Sequence, residues 1–259
     1  KLFGDRLRDP RRVRDATDRL LPDVAGDGVA RADVIIEAIF ENLEAKQALF
    51  ADIEARAKPD AVIASNTSSF PIALLQTGRK HPARFIVMHW GEPAQIMRYL
   101  EIIPGRHTAR RTVRLTRQFG DICGKEPTVL REDIRGFLSN RMMYAMIREA
   151  FHLVEAGIAD IETVDRSFRN DMGWWALLAG PFRWMDLTGI PAYGAVMEGL
   201  LPKLCNTKKV PKLMRDTVAS GAKGIARNVI NSPHNAIVRG PGRKSASTRQ
   251  QPARNITAR

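Results

Sequence analysis

Cysteine is scarce in this chain. Its two examples, Cys123 and Cys205, lie far apart and lack the close spacing of metal ligands. That excludes a disulfide framework, makes a reduced, cytoplasmic protein the expected setting, and leaves no metal in the expected inventory. Long apolar runs are missing as well. None approaches the ~20 residues that a membrane-spanning helix needs, and the start does not read as a signal peptide, so no membrane span is expected. Acidic residues are absent from residues 217–259, which hold eight basic ones, and sparse in residues 1–14, with six basic and two acidic. These two ends carry almost all of the +13 net charge, because the middle of the chain has 27 basic residues against 26 acidic. The globular part is therefore close to neutral. No aromatic residue interleaves the basic tail, so a stacking platform for single strands is unsupported and nucleic acid is not an expected partner.

One further absence concerns glycine. A dinucleotide-binding domain opens with a strand and then G-x-G-x-x-G at a helix N-terminus, where backbone N–H groups hold the pyrophosphate. Gly26-Asp27-Gly28 lacks the third glycine and precedes a strand, so it reads as a turn. The first residue is Lys, and the expectation from sequence is a fragment whose first βαβ portion is missing. Such a chain alone is expected to bind a dinucleotide poorly and to turn over slowly.

What is present is an alternation. Residues 1–31 are charged and poorly periodic. Ala32 to Phe40 is a β-rich run, and Glu41 to Ala57 follows with helical spacing of Leu43, Ala45, Ala48, Leu49, Ile53 and Ala57. Ala61 to Ala64 is a buried-strand run ending in Ser65-Asn66-Thr67-Ser68-Ser69, and Ile72 to Leu75 begins a short helix. Phe85 to Met88 is a strand delivering His89, and Tyr99 to Ile103 is a second apolar run holding Glu101. Thr108 to Gly124 reads as a helix and Pro127 to Leu130 as a last strand. The pattern predicts an α/β Rossmann-type sheet, in which ligands sit outside the carboxyl ends of the strands. Glu41, Ser68 and His89 all fall at such ends. After Gly136 the period becomes helical, predicting a mostly α-helical C-terminal domain in which the methionines and Trp174-Trp175 are packing residues. The expected division is 1–132 for a partial nucleotide-binding domain, 133–225 for the helical domain and 226–259 for a basic, disordered tail.

His89 can exchange protons near neutral pH, and a carboxylate among apolar neighbours needs a partner. If the two strands meet, Glu101 orients the imidazole and stabilises its protonated form. By themselves these residues read more readily as a structural histidine beside a surface glutamate.

The larger pattern changes that balance. Residues from about 32 to 189 resemble the 3-hydroxyacyl-CoA dehydrogenases of fatty-acid β-oxidation. The likeness is carried by IIEAIFENLEAKQALF ending at Phe50, ASNTSS at 64–69, the His89 to Glu101 segment, the run from Gly136 to Arg141, and Gly180-Pro181-Phe182 followed by Asp186-Leu187. It implies NAD as cofactor and an acyl-CoA thioester as substrate, oxidised from the L-3-hydroxyacyl to the 3-ketoacyl form. It implies His89 as catalytic base, Glu101 as the carboxylate behind it, and Ser68 and Asn140 as groups bonding the reacting end of the substrate. It further implies Glu41, Lys46 and Ser68 as contacts to NAD. In each case a plainer role exists: a helix N-terminal acid for Glu41, a solvated helix charge for Lys46, caps or turn residues for Ser68 and Asn140. The family's helical domain often pairs, which leaves room for a homodimer.

Two departures stand out. The family usually has His-Phe-Phe-Asn-Pro, whereas this chain has His89-Trp90-Gly91-Glu92-Pro93. Glu92 thus replaces an amide at a cofactor- or substrate-facing position with a group that, ionised, only accepts hydrogen bonds. The tail after about Ile225 does not follow the family. Glu92 motivates a second reading, a dehydrogenase of a free hydroxy acid or sugar acid. The missing glycine loop motivates a third, a non-catalytic protein that retains the fold.

Overall fold

The computed structural model describes residues 7, 9–222, 224 and 225. The expectation of a disordered tail over 226–259 lies outside those residues. The described residues divide into two compact units, the boundary falling between Arg141 and Met142.

The first unit opens with helix α1 (Pro10–Asp18), in the stretch that the sequence presents as poorly periodic. Its start signal is nonetheless local: Asp9 accepts from the Arg11 N–H at 2.9 Å, and Pro10 occupies the first helical position, where a missing N–H costs nothing. Gly26 then adopts φ 71° and begins a short 3₁₀ turn, as expected of the Gly-Asp-Gly sequence. The remaining elements follow as β1 (Val34–Glu37), α2 (Leu43–Arg56), β2 (Val62–Ser65), α3 (Ile72–Gln76), β3 (Phe85–Trp90), β4 (Tyr99–Pro104), α4 (Arg110–Ile122) and β5 (Glu126–Val129).

The five strands form one sheet in the order β1-β2-β3-β4-β5. Strands β1, β2 and β3 run parallel, β4 is antiparallel to β3, and β5 is parallel to β4. Strands β2 and β3 are buried on both faces, so β3 is a continuous apolar run: Phe85, Ile86, Val87 and Met88 are each fully buried. Burying side chains of this size contributes roughly 1.5–3 kcal/mol apiece. Their parity splits two cores. Phe85 and Val87 join Phe50, Ile53, Ile72, Leu75, Ile103 and Phe137 on one face, while Ile86 and Met88 join Val62, Ala64, Leu100 and Ile102 on the other. Close packing of α4 on the second face depends on Gly120. A Cβ there would sit 2.7 Å from both Leu100 Cδ2 and Pro127 Cγ.

The second unit is helical. Helix α5 (Ser139–Glu155) begins just before it, and α6 (Ile161–Asn170), α7 (Met172–Trp175), α8 (Pro181–Thr188), α9 (Ile190–Leu200) and α10 (Lys212–Ala219) follow. Gly180-Pro181-Phe182 does more than interrupt a helical run, since Pro181 is the first residue of α8. The packing role expected of the tryptophan pair holds for one of the two. Trp175 stacks on Trp184 with centroids 5.4 Å apart, whereas Trp174 is exposed, as are Met142 and Met172. None of the described helices is long and apolar enough to cross a membrane.

Candidate active site

Strand parity assembles the site. His89 is two residues beyond Val87 on β3, so it shares the face that carries Phe85 and Val87. Tyr99, Glu101 and Ile103 share the matching face of β4. In the antiparallel register His89 lies directly opposite Glu101, and cross-strand partners on one face have their side chains within reach of each other. A one-residue slip would turn Glu101 to the opposite core and cost the register its buried apolar pairs.

The imidazole is nearly buried, 8% exposed, and Glu101 more so at 1%. Nδ1 of His89 stands 3.2 Å from Glu101 Oε2 and 3.0 Å from the Tyr99 hydroxyl, and Tyr99 in turn donates to the same Oε2. Nε2 faces the other way and meets Ser68 Oγ at 3.1 Å. With oxygens gathered around Nδ1, the neutral ring carries its proton there and presents a lone pair at Nε2. Phe137 covers the ring at 5.3 Å.

Glu101 has a second set of partners. Its Oε1 accepts from the backbone N–H groups of Leu138 and Ser139, both at 3.0 Å. These are orphan donors at the start of α5, so a carboxylate from the sheet caps the helix, with the helix dipole favouring its charge. The chain reaches this position through Gly136 at φ 82° and Phe137 at φ 50°. A positive φ on a bulky residue is rare and costs about 1–3 kcal/mol, which the burial of Phe137 in the core offsets. Burial alone would raise the Glu101 pKa. The bonds from His89, Tyr99, Ser139 and Leu138 outweigh it, and the carboxyl is held below its ordinary value.

A second carboxylate organises the loop after β2. Glu41 Oε1 accepts from Thr67 Oγ1 at 2.7 Å and from the Ser68 N–H at 2.9 Å. Burial works against its charge, but these two bonds and the nearby Lys46 ammonium lower its pKa. Thr67 Oγ1 also accepts from the Ser69 and Phe70 N–H groups, forming the turn that aims Ser68 at His89. Asn66 Oδ1 accepts from the Trp90 N–H at 3.0 Å and ties the loop to the end of β3.

Lys46 is not a solvated helix charge. It is 1% exposed, and its ammonium donates to Glu37 Oε1 at 2.6 Å and to the Ile39 carbonyl at 3.2 Å, with Glu41 at 3.5 Å. Glu37 Oε2 accepts from Ser65 Oγ at 2.6 Å. The polar chain thus runs from Lys46 and Glu37 under the strand ends, through Ser65 and Glu41, to Ser68 and His89. Asn140 lies in the first turn of α5, directly after Ser139. Glu92 is exposed in the connection between β3 and β4, three residues beyond His89. Among the described residues no cluster of three His, Cys, Asp or Glu side chains could hold a metal.

Sequence reading missed Glu37, Thr67 and Tyr99. Glu37 interrupts an apolar strand, and Tyr99 precedes Glu101 by two residues, so the signal for both was the alternation of the strands themselves.

Comparison with known proteins agrees with this architecture. Residues 5–134 match the family model for the 3-hydroxyacyl-CoA dehydrogenase NAD binding domain, and residues 136–228 match the model for the C-terminal domain of the same family. A 5-formyl-3-hydroxy-2-methylpyridine 4-carboxylate 5-dehydrogenase of Mesorhizobium japonicum is 34% identical over 209 residues, covering 81% of this chain and 67% of that protein. A probable 3-hydroxybutyryl-CoA dehydrogenase of Deinococcus radiodurans is 36% identical over 196 residues, covering 75% of this chain and 69% of that one. A crystal structure of the pyridine carboxylate enzyme, described as an NAD+-dependent dismutase, superposes with a TM-score of 0.76 at 34% identity, over 79% of this chain and 66% of that chain. The chain thus spans about two thirds of the length of these relatives. With both of its domain models matched in order along the sequence, the chain belongs to the 3-hydroxyacyl-CoA dehydrogenase family.

Proposed function

We propose that the site oxidises the hydroxyl of an L-3-hydroxyacyl-CoA thioester to the ketone, or runs the reverse reduction. The observation that supports this most is His89 held between Glu101 at Nδ1 and Ser68 at Nε2. His89 Nε2 takes the hydroxyl proton as C3 is oxidised, and returns it in the reverse direction. Glu101 keeps the imidazole in the productive tautomer and offsets the positive charge that the ring acquires. Ser68 Oγ, 3.1 Å from Nε2, marks the place where a substrate oxygen meets the ring. Asn140 and Ser68 bond the reacting end of the substrate, and Phe137 keeps water from the far side of the imidazole.

NAD fits the residues that are present over part of its length. Glu41 offers a partly exposed carboxylate, 40% accessible and locked by Thr67 and Ser68, at the carboxyl ends of the parallel strands. It is placed to accept from a ribose hydroxyl, with Lys46 holding it from beneath, Ser68 beside it, and Glu92 exposed at the rim. Bound there, NAD supplies the hydride acceptor. The chain's sequence contains no G-x-G-x-x-G, so no residue in it is assigned to the pyrophosphate.

The same machinery suits a free acid. The Mesorhizobium japonicum relative is named for a pyridine carboxylate, and Glu92 stands where the family usually has an amide. Assaying NADH absorbance with 3-hydroxybutyryl-CoA, with free 3-hydroxybutyrate and with a pyridine aldehyde carboxylate separates the two. The thioester is expected to turn over fastest. A free acid preferred over the thioester would transfer the assignment to the second reading.

A further inference from the structure

We propose that Tyr99 is a positioning residue of the acid–base pair, its hydroxyl setting how strongly Glu101 grips the imidazole of His89. This rests on the reading of His89 as the base. The phenol O–H donates to Glu101 Oε2, and the phenol oxygen lies 3.0 Å from His89 Nδ1. That same Nδ1 is 3.2 Å from Oε2. One Nδ1–H is therefore shared between a neutral oxygen and a carboxylate that a phenol proton has already partly satisfied.

Hydrogen bonds to an ionised acceptor are roughly twice as strong as neutral ones. A carboxylate that also accepts from Tyr99 concentrates less charge on Nδ1–H than one facing the ring alone. The phenol thus weakens the grip and makes the imidazolium easier to deprotonate. The arrangement is rigid, because Tyr99 and Glu101 are two residues apart on one face of β4 and the phenol ring meets the imidazole edge-on, at 85° and 5.7 Å. The phenol also remains a donor: burial first, then its bond to Glu101 and the charge of Glu101, raise its pKa well above the ordinary value.

The ionisable groups facing the imidazole are Tyr99 and Glu101, both from β4. The loop after β2 brings Ser68, with Glu41 behind it, and the segment before α5 brings Phe137. Ser139 adds a hydrogen bond to Tyr99. Tyr99 is thus the neutral partner in the one place where the charge of the base is set.

The test is an NMR titration of the histidine ring carbons in the 259-residue chain, with the His89 signal identified by its loss in His89→Gln. Tyr99→Phe keeps the ring and removes one oxygen. It is expected to raise the His89 midpoint by about half to one pH unit, the scale of one neutral hydrogen bond. Replacing Tyr99 with 3-fluorotyrosine makes a stronger donor and is expected to lower the midpoint. An unchanged or lowered midpoint in Tyr99→Phe would overturn the proposal. If that variant does not fold, the fluorotyrosine chain decides, and an unchanged or raised midpoint there would overturn it. The titration needs no substrate. Turnover surviving in His89→Gln would sink the base assignment while a shift in Tyr99→Phe left the coupling of the three side chains standing.

Discussion

At the scale of the residue, the proposed function divides the chemistry between His89 and Glu101. Replacing His89 with Gln keeps a polar side chain of similar size but removes the group that exchanges the proton. Turnover is expected to fall on the order of 10²–10⁴-fold with little change in thermal unfolding. A steady-state rate near that of the unaltered chain would exclude His89 as the base. Glu101→Gln is a different experiment, because an amide cannot balance an imidazolium. It should lower turnover and also weaken the hold on the start of α5, since a neutral amide oxygen is a poorer acceptor than a carboxylate for the N–H groups of Leu138 and Ser139. His89, Glu101 and Ser68 were legible in the sequence as a set, through the order of the strands and the family likeness. The contact of His89 with Glu101 was expected through the family likeness, whereas the antiparallel register of β3 and β4 that makes it is specified by no local pattern. Tyr99 was within reach of the same reasoning, since alternation already places it beside Glu101.

At the scale of the element, the ends of β1 and β2 rest on one buried ion pair. Lys46, from α2, reaches Glu37 at the end of β1, and Glu37 in turn fixes Ser65 at the end of β2. Read along the chain, Lys46 is one solvated charge on a helix, and only the fold shows that it points inward. Lys46→Met removes one partner and leaves Glu37 buried without its counter-charge, an arrangement that costs about 3–5 kcal/mol. Urea unfolding should show a midpoint lowered accordingly. A midpoint unmoved by the substitution would mean that the pair contributes nothing net to the unit. The apolar runs of β1, β2, β3 and β4 announce themselves, whereas α1 is so charged that only its Asp9-Pro10 start marks it, and α8 opens on a proline that suggests a break.

At the scale of the whole molecule, charge and pH set a limit on stability. Glu41 and Glu101 both have pKa values depressed below 4.5 in the folded chain. Folding therefore gains from their ionisation above that value, and the gain is lost as pH falls through the depressed values. Asp133 acts in the opposite sense, because burial raises its pKa. Asp23 and Asp160 are lowered as well, so among the described residues four depressed carboxylates stand against one raised, and urea midpoints should hold steady from about pH 7 to about pH 5 and decline below about pH 4.5. A midpoint that rises on acidification would show that Asp133 dominates. Composition alone described a basic protein. The structure places two of the depressed carboxylates, Glu41 and Glu101, beside His89 and the loop after β2, which overall charge could not show. One consequence follows from the two oxygens of Glu101. Oε2 answers to the imidazole while Oε1 anchors the first turn of α5, so a single carboxylate ties the strand pair to the start of a helix. On the proposed function, a charge arising on His89 would draw on the same carboxylate that receives the two amide bonds at the root of a helix.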